Sequence, residues 1–174
     1  MAIASDGTRY TAPILVLGLG NPKSSDDGFG PLLVQELAKK YRYTGGFIEF
    51  VNGETNGLAL LNAMAGRKAV VVLDAVSTGL SPGTISVLEG SDVLRYATSH
   101  PSSDFEGNAG ELLATAAFLG DLPPYCYIVG VQPGNLANGS TLSDDVQKAL
   151  NPALTKAQSV VDELLVELSE PVPA

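Results

Sequence analysis

The sequence predicts an α/β fold, a mostly parallel sheet covered by helices on both faces, and three observations predict it. Short, almost wholly apolar runs at residues 14–17 and 69–73 suit strands buried on both sides, since a strand with one wet face would alternate apolar and polar residues. Those runs alternate with stretches of helical periodicity, and parallel neighbours need a crossover of that kind. With 174 residues, 45% apolar and 17% charged, the chain has the size and composition of one globular domain.

Residues 14–17 form the first strand, ended by Gly18. The following helix carries an apolar stripe of Phe29, Leu32, Leu33 and Leu37, and Pro31 is compatible with it because it sits in the first turn. Residues 47–51 are a second strand, and Thr55 opens a short helix carrying Leu58, Leu61 and Met64. The clearest strand, 69–73, runs straight into Asp74. Pro82 and Gly83 mark a turn before an edge strand at 84–88. Residues 112–119 are helical and are stopped by Gly120 with Pro123 and Pro124. A last strand spans 125–131. From Ser143, its N-cap, a helix runs to about residue 168, with Asp144 and Asp145 in its first turn and a break or kink expected at Pro152. Residues 1–12 read as a flexible extension and 13–174 as a single domain.

The net charge of −9 disfavours a nucleic-acid partner, because affinity for a phosphate backbone comes from Lys and Arg displacing counterions. One cysteine, Cys126, rules out an internal disulfide or a multi-cysteine metal site and fits a reducing, cytoplasmic setting. Its apolar strand context makes it a packing residue. No signal-like or membrane-spanning run is expected, so no membrane partner is either.

In open α/β sheets, ligands collect beyond the carboxyl ends of the strands. Asp27, on the loop after the first strand, and Asp74, after the 69–73 run, fall there. His100, the single histidine, lies between the edge strand and the next helix. Two carboxylates and an imidazole can hold a first-row divalent metal with coordination positions left open. The bland alternative is capping for the aspartates and a surface position for the histidine. Gly18 and Gly20 do not complete a phosphate cradle: Lys23 stands where the dinucleotide pattern needs a third glycine, and Asp26 and Asp27 would repel phosphate. No Gly-x-Ser-x-Gly nucleophile elbow occurs.

Gly18-Leu19-Gly20-Asn21-Pro22 followed by Asp26-Asp27-Gly28-Phe29-Gly30 resembles the opening signature of the hydrogenase maturation proteases. Asn52-Gly53-Glu54-Thr55 looks like that family's Asp-Gly-Gly-Thr turn, residues 72–76 like its central strand and aspartate, and Ser99-His100 like its metal-contacting histidine. Residues 128–133 and then Leu142-Ser143 are similar to its last strand and helix start, so the likeness spans about residues 14–165. The resemblance implies a three-layer sandwich around a five-stranded twisted sheet. It also implies an endopeptidase that removes the C-terminal extension of a nickel-iron hydrogenase large-subunit precursor. By motif match Asp27, Asp74 and His100 are the nickel-contacting and catalytic positions, with Asp26 beside them as a cap or supporting group. The nickel is expected to arrive in the precursor, and no tightly bound organic cofactor is expected. Asn52 and Glu54 depart from the commoner Asp and Gly, and the loop over residues 101–108 is longer than usual. A non-catalytic nickel-binding or precursor-binding module is the alternative. Peptidyl-tRNA hydrolases share Gly-Leu-Gly-Asn-Pro but carry a Thr-Arg-His-Asn type segment that is missing here, and the acidic charge does not suit tRNA.

Overall fold

The computed structural model describes residues 11–99 and 108–169. The elements are β1 (Ile14–Leu19), α1 (Phe29–Ala38), β2 (Ile48–Glu54), α2 (Leu61–Met64), β3 (Ala69–Ala75), β4 (Ile85–Glu89), α3 (Ser91–Ser99), α4 (Ala109–Leu119), β5 (Tyr125–Val131) and α5 (Asp144–Ser169). Two 3₁₀ turns, Ser25–Gly28 and Gly57–Leu60, lead into α1 and α2.

The five strands form one sheet in the order β2-β1-β3-β5-β4, parallel except for β4, which pairs antiparallel with β5 at the edge. The period of two along each strand divides the core. Ile14, Val16, Val71, Leu73 and Val129 pack under α1 and α5, while Leu15, Leu17, Val70, Val72 and Ile128 pack under α2, α3 and α4. Burying each of these side chains contributes roughly 1.5–3 kcal/mol relative to leaving it exposed, which is why nearly continuous apolar runs occupy the central strands. The expected three-layer α/β architecture is the one found. Among the described residues no helix is long and apolar enough to cross a membrane.

The structure corrects several local expectations. Asp74 lies within β3, paired with Gly130 of β5, rather than beyond the strand. Helix α3 was not anticipated: only Val93 and Ala97 of its nine residues are buried, too few for a strong apolar stripe. The short helix expected from Thr55 starts at Gly57 as a 3₁₀ turn. The break expected at Pro152 does not occur, and α5 runs unbroken for 26 residues. Pro152 and Lys148 are both exposed residues, so the proline ring lies on the outer face of the helix. Ala149, Ala153, Ala157 and Val161 meanwhile hold the other face of α5 in the core. Residues 1–10 of the expected extension are outside the described residues, and Ala12 is buried, with its carbonyl accepting a hydrogen bond from Arg67 Nη1 at 2.7 Å.

This topology positions the site. From β1 the chain passes through α1 to β2 on one side, while β3 lies on the other. Crossovers diverge there, so the crevice beyond the carboxyl ends of β1 and β3 is where such a sheet binds ligands.

Candidate active site at the ends of β1 and β3

The Gly-Leu-Gly-Asn loop solves a packing problem. A Cβ on Gly30, in the first turn of α1, would lie 2.1 Å from the Leu19 carbonyl oxygen and 2.3 Å from that of Leu73, so glycine lets α1 rest directly on the ends of β1 and β3. Gly20 has φ +122°, and a Cβ there would lie 1.9 Å from the Asp27 carbonyl oxygen. These close approaches draw the loop carrying Asp26 and Asp27 over the strand ends.

Asp26 and Asp27 are sequence neighbours with opposite surroundings. Asp26 is fully buried and accepts four hydrogen bonds: from the backbone N–H groups of Gly134 and Asn135 at 2.8 Å each, Ser143 N–H at 2.6 Å and Ser143 Oγ at 2.8 Å. Burial by itself pushes this carboxyl upward, but the bonds from Ser143, Asn135 and Gly134 together outweigh it and hold the carboxyl below its ordinary range. Asp26 does not cap the helix it precedes, the role expected of it; it holds Ser143, the residue before α5, 117 residues away. Ser25, at φ +50°, reinforces the same seam by donating its N–H to the Gly139 carbonyl and its hydroxyl to the Ala137 carbonyl.

Asp27 faces the crevice with less support. Its Oδ2 accepts one N–H, from Asn21 at 2.7 Å. Burial raises its pKa, and that bond only partly offsets the effect. Asp74 is 2% exposed, and its Oδ2 accepts the Ala109 N–H at the start of α4 at 3.1 Å. Its pKa stands well above the ordinary value, chiefly through burial, against the pull of the Ala109 N–H and with a further push from the charge on Asp27. The structure therefore brings Asp27 and Asp74 into electrostatic contact. Among the described residues no Lys or Arg enters the balance at either one. Two desolvated carboxylates, the charge on Asp27 raising the pKa of Asp74, with no Lys or Arg beside them among the described residues, are an arrangement suited to a positive ion.

His100, the proposed third member, lies outside the described residues, directly after α3 in the chain. Among the described residues no group of three metal-ligating side chains forms. Sequence reasoning missed Tyr96 on α3. It is partly buried, and its hydroxyl pKa is raised by burial and then by the charge on Asp74, which puts it at the edge of the same site. The i, i+3, i+4 spacing of Val93, Tyr96 and Ala97 was the available signal. Cys126 is buried in β5 and its thiol is pushed up to about 12, which fits the packing role expected of it.

Residues 31–160 match the family model described as hydrogenase maturation protease. The hydrogenase expression/formation protein HupM of Azotobacter chroococcum is 36% identical over 157 residues, covering 90% of this chain and 75% of that protein. The hydrogenase 2 maturation protease of Escherichia coli is 33% identical over 155 residues, covering 88% and 93% respectively. The solved structure of the hydrogenase maturating endopeptidase HybD from E. coli superimposes with a TM-score of 0.77 at 30% identity, over 86% of this chain and 92% of that one. With its sheet order, its glycine-packed loop and its paired aspartates in the crevice between β1 and β3, the chain belongs to the hydrogenase maturation protease family of endopeptidases.

Proposed function

We propose that this endopeptidase removes the C-terminal extension of a nickel-iron hydrogenase large-subunit precursor, and that Asp27, Asp74 and His100 engage nickel already installed in that precursor. The single observation that carries the metal reading is the electrostatic contact of Asp27 and Asp74 with no Lys or Arg beside them among the described residues. The names of the relatives support the precursor as partner.

The ligand chemistry favours reading a metal over extracting it. Carboxylate oxygens and an imidazole are harder ligands than thiolates, so they can complete the coordination of an ion held by the precursor's cysteines without stripping it. Engagement of the ion would bring the scissile peptide to the loops after β1 and β3, so that metal-loaded substrate alone is correctly positioned. The cytoplasm, where thiols stay reduced, is the compartment we assign to the reaction, in keeping with a single buried cysteine.

The test is to incubate the enzyme with nickel-loaded and nickel-free precursor and read intact masses. Loss of the C-terminal peptide from the loaded form alone is expected. Equal cutting of both forms would defeat metal recognition, and an unchanged mass in both would leave a binding module. Asp27→Ala and His100→Ala should each abolish processing of the loaded form while leaving the circular dichroism spectrum unchanged.

A further inference from the structure

Two non-glycine residues among those described have positive φ, Ser25 at 50° and Glu54 at 45°. An L side chain in this left-handed region crowds its own backbone, and such strain persists where the surroundings impose it or where function retains it. At Ser25 the surroundings impose it. That residue is 5% exposed, its N–H and hydroxyl are both donated to the loop after β5, and Asn135 Nδ2 donates back to its oxygen at 3.4 Å.

Glu54 is different. Its backbone must turn here, because its carbonyl accepts the Gly20 N–H at 3.1 Å where the β1–β2 register shifts. Nothing in that turn requires a glutamate. The side chain is exposed, and glycine would meet the backbone geometry without strain. Gly53 shows that this strand end is otherwise closely fitted: a Cβ there would lie 2.7 Å from Leu60 Cδ1. With residue 53 turned inward, Asn52 and Glu54 share the outward face, and Asn52 Nδ2 donates to Glu54 Oε1 at 3.1 Å. A strained residue thus carries a carboxylate steadied by a neighbouring amide. It stands on the carboxyl rim of the sheet, with Glu54 paired across to Leu19 at the end of β1, one strand from the crevice.

We propose that Glu54 is a specificity-determining residue that binds a lysine or arginine side chain of the precursor beside the segment to be cut. The proposal rests on the endopeptidase reading and adds to it a contact separate from the metal. A carboxylate kept against backbone strain, with no partner among the described residues beyond the amide that orients it, is matched by a cation supplied from outside. Asn52 restrains the carboxylate before the substrate arrives, which lowers the entropy lost on pairing. A rim contact of this kind acts on substrate capture and leaves the chemical step alone.

The experiment measures cleavage of nickel-loaded precursor by wild type, Glu54→Gly and Glu54→Gln, with melting temperatures alongside. Both variants are expected to raise KM about tenfold with kcat within about twofold of wild type, as loss of binding common to ground and transition states requires. Glu54→Gly should melt no lower than wild type, since it relieves the strain. Replacing the precursor's lysines and arginines near the cut one at a time should reveal one position whose loss weakens capture by wild type but not by Glu54→Gln. Unchanged KM in both variants would overturn the proposal. So would a marked fall in melting temperature for Glu54→Gly, normal capture by Glu54→Gln, or the absence of any coupled precursor position. The Kd for loaded precursor, measured without turnover, carries the same comparison. An enzyme that binds but never cuts would therefore sink the endopeptidase reading while the Kd ratio still decided the role of Glu54.

Discussion

At the amino ends of the strands Arg67 is buried with each part of its guanidinium answered, whereas at the carboxyl ends Asp27 and Asp74 are desolvated with no Lys or Arg beside them among the described residues. Arg67 is 8% exposed. Its Nε donates to the Ala63 carbonyl at 2.8 Å, its Nη1 to the Ala12 carbonyl at 2.7 Å, and its Nη2 pairs with Glu49. That network joins the turn after α2 to the chain entering β1 and to β2, which is a structural task. Asp27 accepts the Asn21 N–H and Asp74 accepts the N–H groups of Ala109 and Ala75, yet burial raises the pKa of both, and the charge on Asp27 raises that of Asp74 further. The contrast separates a charge that stabilises the fold from charges the fold tolerates, and the second kind is what the proposed metal-engaging role requires.

The largest break in that comparison is expected from Asp74→Asn. The amide keeps the shape and can still accept the Ala109 N–H, but it cannot offer a charged oxygen to a cation. Cleavage of loaded precursor should fall about 1000-fold or more, equivalent to roughly 4 kcal/mol of transition-state stabilisation. Thermal melting at neutral pH should stay level or rise, because a buried charge has been removed. A variant that lost activity and also melted several degrees lower would show that Asp74 is structural after all.

What could be read from the sequence follows the same division. Strand interiors and the two crevice aspartates were visible because they are local: an apolar run ends, and a charged residue stands where ligands gather. Tyr96 was missed because α3 buries too little of itself to announce a helix. The latch on Asp26 could not be seen, because its partners lie 108 to 117 residues further along and are mostly backbone N–H groups, which leave no mark in composition. Pro152 misled because the rule that proline breaks helices is local, whereas α5 is kept unbroken by Ala149, Ala153, Ala157 and Val161 packed in the core on its other face.

At the other end of the comparison, Arg67→Met should lower stability by about 2–3 kcal/mol, less than the roughly 3–5 kcal/mol of breaking a fully buried pair, because Glu49 is half exposed. The carbonyls of Ala12 and Ala63 lose their donors and account for much of the effect. Urea denaturation measures the loss, and kcat per folded molecule should not change. A fall in kcat with normal stability would mean that the two ends of the sheet are coupled and the division is false.

The smallest expected effect, and the sharpest test of the neighbouring aspartates, is in the pH dependence of stability. Asp74 has a folded pKa above the ordinary 3.8, so the stability it contributes by binding a proton is fully present below 3.8 and is lost as pH rises through its folded value. Asp26 has a folded pKa below 3.8, so its contribution is present above 3.8 and is lost as pH falls through the folded value. Melting temperatures from about pH 3 to pH 8 should then diverge in opposite directions. The advantage of Asp74→Asn over wild type should grow as pH rises, while the deficit of Asp26→Asn should be greatest near neutrality and shrink below 3.8. Any constant offset between the curves reports changed geometry, and the slopes report charge. Parallel slopes would mean that the two carboxyls titrate alike despite four hydrogen bonds on one and burial without matching support on the other.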